Sequence, residues 1–187
     1  MSGMVTDQEE AMVNKIFSEN EINVYDFSYI RDTSLQQMLL NFEEIAWIER
    51  VNGFKEGVIK TTNLTNLNLE NRRLLVSCIS EINSYLNEKS LSFVYPVENV
   101  FLKISPETLY AQEFFNPTLI NTLSIIYVVN DSHTGSSITF LNKNISIPLL
   151  KGNLIIFPSI EEYAYNISTV SSGEIIVGVA YIEVKND

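Results

Sequence analysis

One imidazole limits what this chain can do with a metal or a proton. His133 is the sole histidine among 187 residues. It lies in Asp131-Ser132-His133-Thr134-Gly135, a run whose side chains favour a turn between strands. There it would serve as a general base or a replacement metal ligand, and a solvated turn histidine is the preferred and plainer reading. A site built on two imidazoles is excluded within one chain. Cys78 is also single, so an intrachain disulfide and a thiolate zinc cluster are excluded. It falls on the apolar side of an expected helix, where core packing accounts for it. Glu161-Glu162 offers two carboxylates, but glycosidase chemistry needs carboxyl groups opposed across the scissile bond. No second partner is identifiable, and a solvated charge pair is the simpler account. No Gly-rich phosphate loop, Ser/His/Asp grouping or Cys/His pair is visible.

The balance of charge narrows the partners. The net charge is −11, and an acidic surface repels nucleic-acid phosphate. Hydrophobic residues make up 45% and charged residues 19%, enough for a packed core and against global disorder. No apolar run reaches the roughly 20 residues of a membrane helix. The early residues Asp7, Glu9 and Glu10 are acidic and no apolar signal region follows. Neither nucleic acid nor membrane is expected as a partner, and secretion by a signal peptide is not expected.

The elements that must hold any site change character near Lys89. Residues 7–18 read as a short helix with Met12, Val13, Ile16 and Phe17 on one side, followed by a strand at 22–27. Asp32-Thr33-Ser34 offers N-cap oxygens to a helix carrying Leu35, Met38, Leu39, Phe42 and Ile45, closed by Trp47. Asn52-Gly53 marks a turn, and residues 61–70 read as a loop. A third helix over 70–88 has the stripe Leu74, Leu75, Cys78, Ile79, Ile82 and Leu86. Beyond it, short apolar runs alternate with Pro, Asn, Gly and Ser, the pattern of a β-sandwich or barrel. Strands are expected near 91–95, 99–104, 107–113, 122–129, 137–141, 144–147, 153–157, 162–167 and 174–184. Phe140 and Phe157 should point into the core. Residues 1–90 are read as a helical support belonging to the same domain as a β core over 91–187.

Four segments of that β half carry a family resemblance. They are Ile126-Tyr127-Val128-Val129-Asn130-Asp131, Gly135-Ser136-Ser137-Ile138-Thr139-Phe140, Pro148-Leu149-Leu150-Lys151-Gly152-Asn153-Leu154-Ile155-Ile156-Phe157-Pro158-Ser159, and Val170-Ser171-Ser172-Gly173-Glu174. In order and spacing they resemble the prolyl 4-hydroxylase-like branch of the iron and 2-oxoglutarate oxygenases, over about residues 93–184. The resemblance implies an α+β chain with a double-stranded β-helix, a jelly-roll or cupin-like barrel, supported by N-terminal helices.

It also implies where the chemistry would lie. The family's His-x-Asp pair falls on Ala111 and Glu113, its second histidine on Tyr165, and its cosubstrate-binding Arg or Lys on Ile175. Alanine offers no ligand, and neutral phenol is a poor ligand for ferrous iron when tyrosine titrates near ~10. An aliphatic Ile175 cannot grip a carboxylate as a guanidinium does. The four positions read as a degenerate site, with no catalytic, cofactor-binding or metal residue assigned and no cofactor expected. Glu113 is either a relic ligand or a polar residue facing a wet cavity. The expectation is a non-catalytic structural or interaction protein. The sequence further resembles short oxygenase-like reading frames of marine bacteriophages, which implies a virion or assembly component of neck, tail or baseplate. Protein partners or self-association follow, in the host cytoplasm or the virion. The alternative is an Fe(II)/2-oxoglutarate hydroxylase with atypical ligands Glu113, Tyr165 and His133. A third reading is a metal-free, cupin-like binder of small molecules at the barrel mouth.

Overall fold

The structure, a computed structural model, describes residues 14–26, 45–49, 55–59, 79–104, 121–129, 133–168 and 170–187; for 45–49, 55–59 and 95–104 it describes the backbone alone. The expected strand at 107–113, the helix begun by Leu35, the loop 61–70, and the site positions Ala111 and Glu113 lie outside the described residues.

Within them the chain forms β1 (Lys15–Glu19), β2 (Ile22–Asp26), β3 (Ile45–Glu49), β4 (Lys55–Ile59), helix α1 (Ile79–Glu88), and β5 (Leu91–Ile104). Then come β6 (Thr122–Val128), β7 (His133–Thr134), β8 (Ser137–Phe140), β9 (Ile145–Pro148) and β10 (Asn153–Pro158). A 3-10 turn at Glu161–Tyr163 leads to β11 (Tyr165–Ile167), β12 (Ser172–Gly173) and β13 (Ile175–Asn186). Among the described residues the large sheet runs β1-β2-β10-β6-β13-β5-β4-β3, a smaller sheet runs β11-β8-β9, and β12 pairs with β7.

β13 is the spine. It pairs antiparallel with β5 from Ile175↔Ile104 to Asn186↔Leu91, and with β6 from Val177↔Val128 to Glu183↔Thr122. The ladder to β5 slips on both sides of the Ile182↔Pro96 pair, where proline lacks an amide to donate. Because successive strand side chains point to opposite faces, β13 buries both. Ile175, Val177, Val179 and Tyr181 face the interior shared with the small sheet, while Ile176, Ala180, Ile182 and Val184 join the cluster under α1. From the small sheet, Ile138, Phe140, Ile145, Ile147, Tyr165 and Ile167 complete the interior. Each such side chain contributes about 1.5–3 kcal/mol on burial, so the two sheets are held by this shared apolar layer.

α1 covers the other face through Ile82, Tyr85 and Leu86. Its C-terminal Glu88 accepts hydrogen bonds from Lys15 Nζ at 2.7 Å and Asn23 Nδ2 at 3.2 Å. Asn23 is fully buried in β2, and its bond to Glu88, with one donated to Tyr25 Oη at 3.0 Å and one accepted from Ser18, satisfies it. Among the described residues no helix is long and apolar enough to cross a membrane.

The β half matches the sequence expectation, with β5 continuous where two strands were expected. In the N-terminal half the strand expected at 22–27 is β2 and the end of the helix expected over 70–88 is α1, but the first helix is not found among the described residues. Lys15–Glu19 is a strand, where the last turns of a helix over 7–18 were expected. The reason is the next two residues: Asn20 and Glu21 have φ of 51° and 65°, which makes a two-residue hairpin turn pairing Glu19 with Ile22. Trp47 lies in β3 rather than at a helix end, paired with Gly57 of β4. So the expected helical support of residues 1–90 also supplies four strands to the large sheet. Ile79, expected on the buried stripe of α1, is 45% exposed.

Candidate functional site

The two described positions of the expected site sit in one apolar interior but not side by side. Tyr165 opens β11 opposite Phe140. Its ring stands 5.4 Å from Phe157 at 81° and 6.1 Å from Phe140, and Phe140 meets Phe157 edge-on at 4.8 Å. Such edge-to-face groups add about 0.5–1.5 kcal/mol per pair beyond area burial. Phe157 lies in the row Phe157, Ser124, Tyr181 across the large sheet. Ile175 begins β13 six positions before Tyr181, roughly 20 Å along an extended strand. Between these levels lie Val177, Val179, Ile126, Val128 and Ile155, all at most 3% exposed.

The side chains at these two described positions do not by themselves fit iron or 2-oxoglutarate. A buried dicarboxylate needs a cation or an array of donors, and among the described side chains no lysine is buried and Glu81, in the first turn of α1, is the buried charged residue. Tyr165 is enclosed by two phenylalanine rings, and Ile175 is completely buried among aliphatic neighbours. Among the described residues no three His, Cys, Asp or Glu gather as metal ligands.

His133 is placed differently from the solvated turn expected for it. It forms β7 with Thr134, pairs with Gly173 of β12, and is half-buried. Its Nε2 is 2.8 Å from the Leu149 carbonyl, so that nitrogen carries the proton and donates it. Nδ1 is buried and without a hydrogen-bond partner among the described residues. β8 and the bend at Gly135 separate His133 from the Phe140–Tyr165 pair. The structure therefore brings His133 near the start of β13, and does not bring it together with Tyr165 as a ligand set. Glu161 and Glu162 are exposed, as a solvated pair should be, and Glu162 is ion-paired with Lys143.

With this geometry the chain can be compared with known proteins. No protein-family model and no curated protein matches the sequence. Solved structures do match. A prolyl hydroxylase from Trichoplax adhaerens, in complex with a hypoxia inducible factor oxygen degradation domain peptide fragment, aligns with TM-score 0.62 at 13% identity, over 88% of this chain and 84% of that one. The viral collagen prolyl hydroxylase of Paramecium Bursaria Chlorella virus-1, as its 2OG complex, gives 0.58 at 13% identity, over 87% and 95%. A Pseudomonas putida prolyl-4-hydroxylase gives 0.56 at 14%, over 87% and 92%. The fold is a double-stranded β-helix. Its structural neighbours are prolyl 4-hydroxylase-like oxygenases, and at such identities the likeness concerns the fold alone.

A second group of side chains gave no signal in the sequence. Tyr163, on the 3-10 turn, donates to Glu21 Oε2 at 3.1 Å, and Tyr85 of α1 donates to the Glu21 carbonyl at 2.7 Å. Burial pushes both phenols far above the ordinary tyrosine range, and the nearby Glu21 carboxylate adds to it. Lys89 Nζ lies 5.7 Å from the centre of the Tyr85 ring.

Proposed function

We propose that this chain is a non-catalytic structural or interaction protein built on the oxygenase fold. The observation that carries the reading is Tyr165. At the position matching the family's second histidine stands a phenol ring wedged between Phe140 and Phe157, in a chain with one histidine in all. The barrel interior then serves as a core, and the surface does the work. Half-exposed apolar side chains such as Phe93, Val94, Leu150 and Ile160 suit contact with protein partners or with further copies of the chain. Following the bacteriophage resemblance, the role proposed is a virion or assembly component, found in the host cytoplasm or the particle.

The test is direct. Purified chain is incubated with Fe(II) and 2-oxoglutarate, desalted, and assayed for bound iron and released succinate. Neither stoichiometric iron nor succinate is expected. One iron per chain, or sustained succinate release, overturns the reading. Crosslinking and light scattering then report assembly, and a protein that stays monomeric and captures no virion protein counts against the structural role.

One observation favours a second reading, an Fe(II)/2-oxoglutarate hydroxylase with atypical ligands. His133 donates through Nε2 to a backbone carbonyl and turns Nδ1 inward without a partner among the described residues, which is how metal-binding histidines are commonly oriented. Glu113 is the carboxylate that would join it, and Tyr165 drops out of the set. Succinate formation abolished by His133→Ala and by Glu113→Ala would establish this reading.

A further inference from the structure

A cleft opens on the far side of the large sheet from the barrel interior, where α1 ends. Its volume is about 320 Å³, at the lower end of the range for small-molecule sites. The floor is apolar, with Leu91, Leu123, Pro158 and Val184. The rim carries two opposite charges, Glu21 and Lys89, which are placed around one side chain. Lys89 lies over the Tyr85 ring, and Glu21 sits at the Tyr85 hydroxyl. Among the described residues neither charge forms an ion pair. They line the same cleft without neutralising each other.

The backbone adds an independent observation. Of the five described non-glycine residues at positive φ, Glu21 and Asn121 line the cleft, and Asn20 and Ser90 adjoin its lining. Asparagine tolerates that region, and a residue just past a helix often adopts it. Glutamate has no such excuse. In a hairpin turn with both central φ positive, Asn-Gly is the favoured pair, and here the second place holds Glu21. Strained backbone of this kind concentrates at ligand sites. The strain keeps a carboxylate at the rim, where Tyr163 fixes one of its oxygens.

We propose that this cleft binds a small zwitterion with an apolar body, an amino acid of the leucine type. The ligand ammonium meets Glu21, its carboxylate meets Lys89, and its side chain covers the apolar floor. Both charges are placed on one ligand, because the two rim groups have opposite signs, line one cleft and are not ion-paired among the described residues.

L-leucine is the probe, titrated into the intact chain by calorimetry and followed by amide NMR shifts. Saturable binding is expected, with shifts confined to Glu21, Lys89, Asn121 and their neighbours. Isoamylamine and 4-methylpentanoate, each carrying one of the two charges, should bind about tenfold or more weakly, since a charge-assisted hydrogen bond is lost. Glu21→Gln and Lys89→Ala should each weaken L-leucine binding by a similar factor. Thermal unfolding of each variant, compared with the parent, shows that it is folded when titrated. No saturation by L-leucine up to about 10 mM, a weak-binding limit of some 3 kcal/mol, overturns the proposal. Equal binding of the single-charge analogues, or binding that survives both substitutions, overturns it as well.

Discussion

The Tyr165 ring meets Phe157 edge-on, with centroids 5.4 Å apart, at the position where the oxygenase resemblance places an imidazole. Three rings from β8, β10 and β11 pack together here and join the two sheets.

That packing predicts a stability cost. Tyr165→Ala removes the ring from a completely enclosed site and leaves a cavity between Phe140 and Phe157. Aromatic-to-alanine changes in cores cost about 3–5 kcal/mol. Urea unfolding should show a loss of that size with an unchanged slope. A loss below about 1 kcal/mol would mean that the ring does not pack as described.

Much of the barrel was legible because its strands are short apolar runs bounded by residues with one physical use. Asn121 and Asn144 take positive φ before β6 and β9, and Gly152 does so before β10. Phe140 and Phe157 read as inward-facing, and both are at most 1% exposed. The first hairpin was not legible. Ile16 and Phe17, with Met12 and Val13, repeat at helical spacing, and the turn that overrides them rests on a glutamate no turn rule selects. The histidine count is legible without any alignment. The aromatic trio around Tyr165 was not, because it rests on the β8–β11 register. The cleft joins Glu21 of the β1–β2 turn to residues from α1, β5, β6, β10 and β13, and nothing local in the sequence announces it.

Gly135 is fixed by its surroundings. Its φ is +81°, and a Cβ added there would lie 2.1 Å from Ser171 Oγ and 3.4 Å from the Ser171 backbone nitrogen. Gly135→Ala should destabilise by about 2 kcal/mol, combining conformational strain with the collision. Adding Ser171→Gly removes the hydroxyl and its carbon. The double variant should recover part of the loss and leave about 1 kcal/mol from the backbone. Additive losses, measured by the same unfolding assay, would contradict the close approach.

The Lys15–Glu88 pair should give a small pH-dependent term. The Lys15 hydrogen bond is the largest cause holding the Glu88 carboxyl below its ordinary 4.5, and Glu88 in turn raises Lys15 above 10.5. A depressed carboxyl stabilises the fold above about pH 4.5, and the effect is lost as pH falls through its lowered value. A raised lysine stabilises below 10.5, and its effect is lost as pH rises through its higher value. About a third of each side chain is exposed, 34% and 38%, so screening holds the pair to roughly 0.2–1 kcal/mol. Lys15→Met should cost that much at pH 7 and almost nothing at about pH 2.5. It should also cost less in about 1 M salt. A cost independent of pH would assign the effect to the aliphatic stem.

The strain at Glu21 can be read without its charge. Glu21→Gly and Glu21→Ala both remove the carboxylate and the bond from Tyr163, so their difference isolates the backbone. At a φ of 65° a β-carbon costs roughly 1–2 kcal/mol that glycine escapes. The glycine variant should therefore exceed the alanine variant by about 1 kcal/mol in unfolding free energy. Both variants lose the part-buried bond from Tyr163, worth about 1.5–3 kcal/mol, so their difference, not the comparison with the parent, reads the strain. Equal stability of the two variants would mean that the turn is not left-handed at Glu21, and would remove the backbone argument for the cleft.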